Sequence, residues 1–288
     1  DALGRPKNFR EVLESIRLGS LLVPHLFCPQ GMSIYRIFFE QILGFPLVGS
    51  KGSVMELAAD KIRARQVVSD SGVNIAPGGL VLDDSKPNIP YPLVIKPASE
   101  DNSKGVSLVF DYKEYRDAYK KARSFGPYVL VEKYVAGREF RVGLIKIGDA
   151  YHLPPIIEYS LNPEYPIRVT QDKLDINPTG TPIRQSSVSL STTNCPAQVE
   201  EITLARVKEQ AVKAHEALGA RHYSLFDFKI DETTGAPIFL EAGLYWSFSP
   251  ASMISKMLLS GGESLEQVVN TVWQGALTTT SGLAGKGL

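Results

Sequence analysis

Apolar residues fall at helical spacing along some stretches of the chain and in short unbroken runs along others. In SVMELAADKIRARQVVSDSG, Val54, Leu57, Ala58, Ile62, Arg65 and Val68 share one face, which predicts one helix ending at Gly72. SIYRIFFEQILG predicts a helix stopped at Gly44 before a short strand, and KEYRDAYKKARSFG predicts another helix. VEEITLARVKEQAVKAHEALG steps by three and four through Leu204, Val207, Ala211, Ala214 and Leu218, as a half-buried helix does. The runs YPLVIKP and YVLVEKYV predict strands, and the polar loop ASEDNSKGV follows the first. YSLFDFKID and PIFLEAG, joined by ETTGA, predict a β-hairpin. The stretch from Asn162 to Ala197 shows no period and carries prolines, so it is expected to be an extended loop and a mobile lid.

At 288 residues the chain is long enough for two or three lobes with a sizeable core. Lys+Arg and Asp+Glu both number 31, so no global basic field points to nucleic acid or an anionic membrane. No apolar run approaches the roughly 18 to 20 residues of a membrane span. Cys28 and Cys195 lie far apart without metal-type spacing and read as free thiols in a reducing, cytoplasmic setting. The opening residues enter without a strand, which leaves open whether the N-terminal lobe is complete, and TTTSGLAGKGL reads as a loose tail.

The chemistry gathers at the ends of the strands. FLEAGLYWSFSP ends an apolar run on Glu241, and a buried carboxylate is costly without a cation or donors. The hairpin places Asp227 within one residue of direct opposition to Glu241, an offset that a glycine bulge would supply. Cross-strand neighbours lie roughly 4.5 to 5.5 Å apart. Two acids that close repel unless both are solvated or a divalent cation lies between them. Mg²⁺ accepts one or two carboxylates and takes water and phosphate oxygens elsewhere. Lys96, followed at once by a loop of small residues, reads either as part of a phosphate cradle or as a strand-end surface charge. Glu132, Lys133 and, seven residues after Glu132, Glu139 could offer backbone groups to a base edge and a carboxylate to ribose hydroxyls.

In this order the motifs resemble the ATP-grasp superfamily, in its D-alanine–D-alanine ligase branch, over about residues 40 to 262. The resemblance implies an α/β (α+β lobes) ATP-grasp fold with a small N-terminal α/β lobe. It divides the chain into 1–53, a central subdomain 54–127, a C-terminal subdomain with the metal site 128–275, and a tail 276–288. It implies ATP and Mg²⁺ as cofactors. Lys61 and Lys96 would contact phosphates, and Ser103 and Gly105 would belong to the flap over them. Glu132, Lys133 and Val135 would recognise adenine and Glu139 ribose; Lys173 would reach the transferred phosphoryl group. Asp227 and Glu241 would bind the metal, and Ser252 would hold a substrate carboxylate. Beside it, Ser247 and Ser249 offer donors to the acceptor or a developing oxyanion, and Tyr245 and Trp246 either wall the pocket or are simply core.

Three departures stand out. Gly243 replaces the family's asparagine metal ligand, Leu225 replaces an arginine with only Arg221 and His222 nearby, and PQGMSIYR replaces an acidic GED segment. RHYSLFDFKID, FLEAGLYWSFSP and KPASEDNSKGVSLV are similar to the ligases of mycosporine-like amino acid biosynthesis. That similarity implies an ADP-forming ligase joining a serine- or threonine-type amino acid to mycosporine-glycine. The alternatives are a dipeptide ligase and a nucleotide-binding protein with impaired turnover. Expected partners are small molecules and a second copy of the chain in a homodimer, with neither nucleic acid nor membrane.

Overall fold

The computed structural model describes residues 7–17, 19–162, 166–168, 175–176, 182–183 and 191–284. Its first part is helical: α1 (Phe9–Ser15), α2 (Pro29–Met32), α3 (Ile34–Arg36) and a π-helical turn at Ile37–Ile42. The helix expected over 33–44 runs from Ile34 to Ile42 with Ser33 at its N-cap position, and its last turns are π-helical. The strand expected after Gly44 is reduced to one parallel bridge, Leu22 to Leu47.

The helix expected to run unbroken to Gly72 is two, α4 (Gly52–Ala59) and α5 (Lys61–Asp70). Asp60 is the cause. It leaves the helical region at φ −88°, ψ 102°, and its carboxylate accepts from the Ile62 and Arg63 N–H groups, capping the second helix. The break turns the N-terminus of α5 toward the polar loop, where the Lys61 N–H donates to Ala98 O at 2.9 Å.

β1 (Gly78–Val81), β2 (Leu93–Pro97), β3 (Ser107–Val109) and β4 (Val129–Lys133) form an antiparallel sheet in the order β1-β4-β2-β3. Helix α6 (Tyr112–Arg123), N-capped by Asp111, buries Tyr115, Ala118, Tyr119 and Ala122 against it. The larger sheet holds β5 (Gly137–Ile147), β6 (Ala150–His152) and β7 (Ile157–Leu161). A separate antiparallel pair, β8 (Asp175–Ile176) with β9 (Pro182–Ile183), precedes β10 (Ser191–Asn194). After α7 (Glu201–Ala217) come β11 (Tyr223–Asp231) and β12 (Pro237–Gly243), giving the order β10-β7-β5-β11-β12 with β6 beside β5. The expected extended loop thus contains strands, one of which closes the sheet edge on β7. Helices α8 (Met253–Ser260) and α9 (Leu265–Ala284) follow, so residues 276–284 of the expected loose tail are helical.

The pleat of β5, β11 and β12 sorts their side chains. Phe140, Val142, Phe226, Phe228 and Phe239 enter one core with residues of α4, α5 and α7. The opposite face has two halves. Tyr223, Leu225 and Ile145 pack under α8 and α9 with Trp246, Ile254 and Met257. Further along, the same face carries Glu139, Arg141, Asp227, Lys229 and Glu241. The hairpin register matches the sequence expectation: Asp227 lies opposite Glu241, one step off the pairing of Phe228 with Phe239. The extra residue in the bulge is Leu240, however, and no glycine is involved.

Both cysteines are free. Among the described residues no helix is long and apolar enough to cross a membrane.

Two histidines are held neutral by this packing. His222 Nδ1 accepts the Gly49 N–H at 2.9 Å, and burial, reinforced by Arg221 and Arg36, pushes its pKa down to about 4. His215, at 2.9 Å from Ser224 Oγ, is likewise lowered to about 4 by burial and Lys146. The unfolded chain binds these protons first, near the ordinary value of about 6.5. Stability is therefore complete above that pH and falls as pH drops toward about 4, by at most about 3 kcal/mol per histidine. His222→Asn, which suits the positive φ of 65° at that position, should flatten this acid limb when urea midpoints are followed from pH 7 to 4. An unchanged slope would place the acid sensitivity elsewhere.

Candidate active site

A cleft of about 770 Å³, including its open mouth, lies between the two sheets and is lined by Lys61, Lys96, Ser103, Glu132, Lys133, Val135, Glu139 and Glu241. Eight of the residues singled out in the sequence therefore share one cavity. On the floor formed by β2 and β4, Lys96 Nζ lies 2.6 Å from Glu132 Oε2, and Arg65 Nε lies 3.2 Å from Oε1. All three are buried, so Lys96 is a paired interior cation and not a surface charge. Arg65 sits on the apolar stripe of α5 and also donates to Ala76 O and to Gly78 O, the latter at 2.8 Å. It ties the helix to the edge strand. Lys133 donates to Pro90 O and Tyr91 O at 3.2 and 3.1 Å, and Val135 is buried beside it.

The polar loop after β2 closes one side of the cleft. Lys61 Nζ donates to Glu100 O, so both the backbone and the side chain of Lys61 hold this loop. Ser103 and Gly105 adopt positive φ, 55° and 72°. A Cβ on Gly105 would come within 2.7 Å of Pro97 Cγ and 2.8 Å of the Phe125 ring, so that turn accepts only glycine without rearrangement.

The far wall is the charged half of the large sheet. Asp227, 1% exposed, accepts from Arg141 Nε at Oδ1 and from Arg141 Nη2 at Oδ2, both at 2.6 Å. Arg141 stands directly across the β5–β11 pair. Burial disfavours its charge, but Asp227 overcomes that and holds the guanidinium pKa well above its ordinary value. A second guanidinium, Arg168, donates to Glu139 through Nε and to Asp227 Oδ2 through Nη2, and the same Nη2 lies 3.9 Å from Glu241 Oε1. Lys229, also buried, donates to Pro166 O at 3.2 Å and lies over the Tyr134 ring; burial lowers its pKa. Three carboxylates thus face three cations.

A metal at this wall would use Asp227 and Glu241. Among the described residues no group of three or more His, Cys, Asp or Glu could hold an ion, so the pair expected from the sequence would have no third protein carboxylate beside it. The pair fits Mg²⁺, which needs few carboxylates when phosphate supplies the other oxygens. The Arg168 guanidinium against both acids shows that a cation is accommodated there. Gly243 lies opposite Leu225, which in turn lies opposite Gly143, so an apolar row adjoins the charged one. A Cβ at Gly243 would meet Tyr245 Cε1 at 3.4 Å; the tyrosine ring covers the place where the resemblance puts an asparagine.

The residues expected to hold the amino acid stand after β12. Ser252 is the N-cap residue of α8, and its hydroxyl lies 2.9 Å from Ser255 Oγ, which accepts from Trp246 Nε1 at 2.9 Å. Trp246 is core, 2% exposed, as one of the two readings of that aromatic had it. Ser249 is exposed and accepts the Ala251 N–H, and Ser247 is half-buried. Burial raises the Tyr245 pKa to about 12, so this phenol stays protonated as a donor. Lys173 lies outside the described residues.

Arg65, Arg141, Arg168 and Lys229 were not identified from sequence as site residues. Arg65 carried a signal, being a charge on an otherwise apolar helix face. Arg141 and Lys229 each follow an identified acid by two residues on a strand, which places them on the same side. Arg168 had no local signal.

The family model described as D-ala D-ala ligase C-terminus matches residues 80–274. A D-alanine–D-alanine ligase of Bordetella petrii is 29% identical over 211 residues, covering 70% of this chain and 59% of the relative. One from Citrifermentans bemidjiense is 27% identical over 241 residues, covering 82% and 72%. The chain thus spans under two thirds of the first relative's length. The fold matches the Bacillus anthracis D-alanine–D-alanine ligase complexed with ATP at TM-score 0.74 and 17% identity, over 96% of this chain and 84% of that one. It also matches the VanG D-Ala:D-Ser ligase of Enterococcus faecalis at TM-score 0.72 and 22% identity, over 89% and 72%.

Removing the Glu132 carboxylate strands two buried cations. Glu132→Leu is expected to lower unfolding free energy by about 3 to 5 kcal/mol, the usual cost of breaking a buried pair from one side. Ser249→Ala, on the exposed loop, should stay within about 0.5 kcal/mol. Urea denaturation of both variants checks this, and a Glu132→Leu loss below about 1 kcal/mol would mean that the trio is well solvated.

Proposed function

The chain belongs to the D-alanine–D-alanine ligase family through its C-terminal region and has the ATP-grasp fold, and on that premise we propose that it is an ATP-dependent, ADP-forming ligase. The observation that carries the proposal is the cleft, where eight of the residues expected from the sequence line one cavity between the two sheets. ATP is the phosphoryl donor. Its terminal phosphoryl group passes to an oxygen of the acceptor, ADP leaves, and an amino-acid amine then displaces phosphate to form the new C–N bond.

Within that scheme Lys61 and Lys96 balance phosphate charge, Ser103 and Gly105 bring the polar loop over the phosphates, and Glu139 meets the ribose. The β4 segment Glu132 to Val135 faces the base. Mg²⁺, held by Asp227 and Glu241, would supply charge neutralisation at the phosphates. Lys173 remains the lysine expected at the transferred group. Arg141 keeps Asp227 oriented, and its charge lowers the cost of burying that acid. Positioning and electrostatics account for the catalysis, and closing water out protects the activated acceptor from hydrolysis.

The substrate pair follows the relatives first: a dipeptide-type ligation, an amino-acid amine onto an activated amino-acid carboxylate, is the leading reading. The comparisons give no support to mycosporine-glycine as acceptor. One observation keeps a bulkier, flatter acceptor as a second reading. The row Gly143–Leu225–Gly243 lies beside the charged row, with Tyr245 over its outer end, where the resemblance implies an arginine and an asparagine.

Amine-dependent ADP release tests the function. ADP should accumulate beyond one equivalent of enzyme only when an acceptor and an amino acid are both present, and Glu241→Gln should reduce turnover at least a hundredfold while the melting temperature changes little. ADP release indifferent to any amine would contradict the ligase, and full activity in Glu241→Gln would remove that residue from the metal site.

A further inference from the structure

Arg168 plays no part in the reaction as derived, yet it is one of the most heavily engaged side chains in the cleft. Its guanidinium touches carboxylates from three strands: Glu139 on β5, Asp227 on β11 and Glu241 on β12. We propose that Arg168 is a built-in placeholder for the divalent cation, holding these acids in position in the nucleotide-free protein and yielding the place between Asp227 and Glu241 when metal and nucleotide enter together. The proposal rests on the metal assignment above.

Three features support it. Asp227 is already satisfied without Arg168, because Arg141 takes both carboxylate oxygens from the adjacent strand. Arg168 is therefore the guanidinium that can leave while Asp227 stays buried and paired. Secondly, Arg168 comes from irregular backbone outside the named strands, so its withdrawal breaks no sheet pairing. Its planar group lies 4.3 Å from the Tyr159 ring centre, which fixes the position it occupies. Thirdly, the same side chain covers Glu139, the acid expected at the ribose, so the arrival of nucleotide and of metal both require it to move.

The competition has a definite sign. A guanidinium carries one delocalised charge, whereas Mg²⁺ carries two on a small ion that favours carboxylate and phosphate oxygens. With nucleotide present, phosphate oxygens complete the metal's shell and the metal wins. Without nucleotide, the metal must displace an intramolecular cation and gains only two carboxylates. The protein should therefore take up metal with the nucleotide and resist it alone. A positioning residue of this kind also spares the free enzyme the repulsion between Asp227 and Glu241.

Manganese binding to the nucleotide-free protein tests this, with free Mn²⁺ counted by its paramagnetic resonance signal. Wild type should bind weakly and Arg168→Gln at least tenfold more tightly. Arg168→Lys, whose single nitrogen cannot hold Glu139 and Asp227 together as Nε and Nη2 do, should gain about threefold and guards against misfolding of the first variant. Low-millimolar guanidinium should compete with Mn²⁺ in Arg168→Gln and leave wild type unchanged. Adding Asp227→Asn to Arg168→Gln should erase the gain. Unchanged or weaker Mn²⁺ binding in both single variants overturns the placeholder, even if amine-dependent ADP release is intact. Tighter binding in protein that releases no ADP would leave the placeholder standing and remove the ligase reading.

Discussion

The buried carboxylate of Asp227 is the constraint on which the rest of the site depends. A 1%-exposed carboxylate on a central strand is strongly unfavourable unless a cation meets it with good geometry. Direct opposition of Arg141 on β5 satisfies that demand with two 2.6 Å contacts, and it requires β5 and β11 to be neighbours in one fixed register. A slip of one residue would turn Asp227 into the phenylalanine core and Phe226 or Phe228 into the cleft. The charge pair and the aromatic core thus specify the same alignment from opposite faces of the sheet.

From that register the remaining geometry follows. Rows across the large sheet run from charged to apolar: Arg141–Asp227–Glu241, then Gly143–Leu225–Gly243, then Ile145 beside Tyr223 under α8 and α9. The bulge at Leu240 brings Glu241 into line with Asp227, and the same displacement brings Gly243 opposite Leu225. The small sheet contributes its own paired interior acid, Glu132, neutralised from a strand by Lys96 and from a helix by Arg65. Two sheets, each burying acids against arginine or lysine, face each other across the cleft. That arrangement suits a ligand rich in negative charge that brings its own cation.

The hairpin carrying Asp227 and Glu241 was legible in sequence because both its strands are apolar runs flanking a turn with Gly235. Its register followed from loop length. The β5 strand was not, because it is buried on both faces and its site-facing positions, Glu139 and Arg141, interrupt the apolar run that would have marked it. Asp60 was read as one more polar residue on a helix, since a local cap competes with helix continuation only once the fold turns the chain there. Lys96 could be read as a cradle lysine or as a strand-end surface charge, and the long-range meeting with Glu132 makes it an interior one. Arg168 illustrates the limit most clearly: its partners lie 29, 59 and 73 positions away, and no window of sequence contains them together.

Crystals grown with Mn²⁺ and a non-hydrolysable ATP analogue, examined at the manganese absorption edge, test the central claim most directly. The account predicts an anomalous peak coordinated by Asp227 and Glu241 and by phosphate oxygens, with the Arg168 guanidinium withdrawn from Asp227 and Arg141 still paired to it. A nucleotide bound with its metal away from these two carboxylates, or with Arg168 unmoved between them, would contradict it.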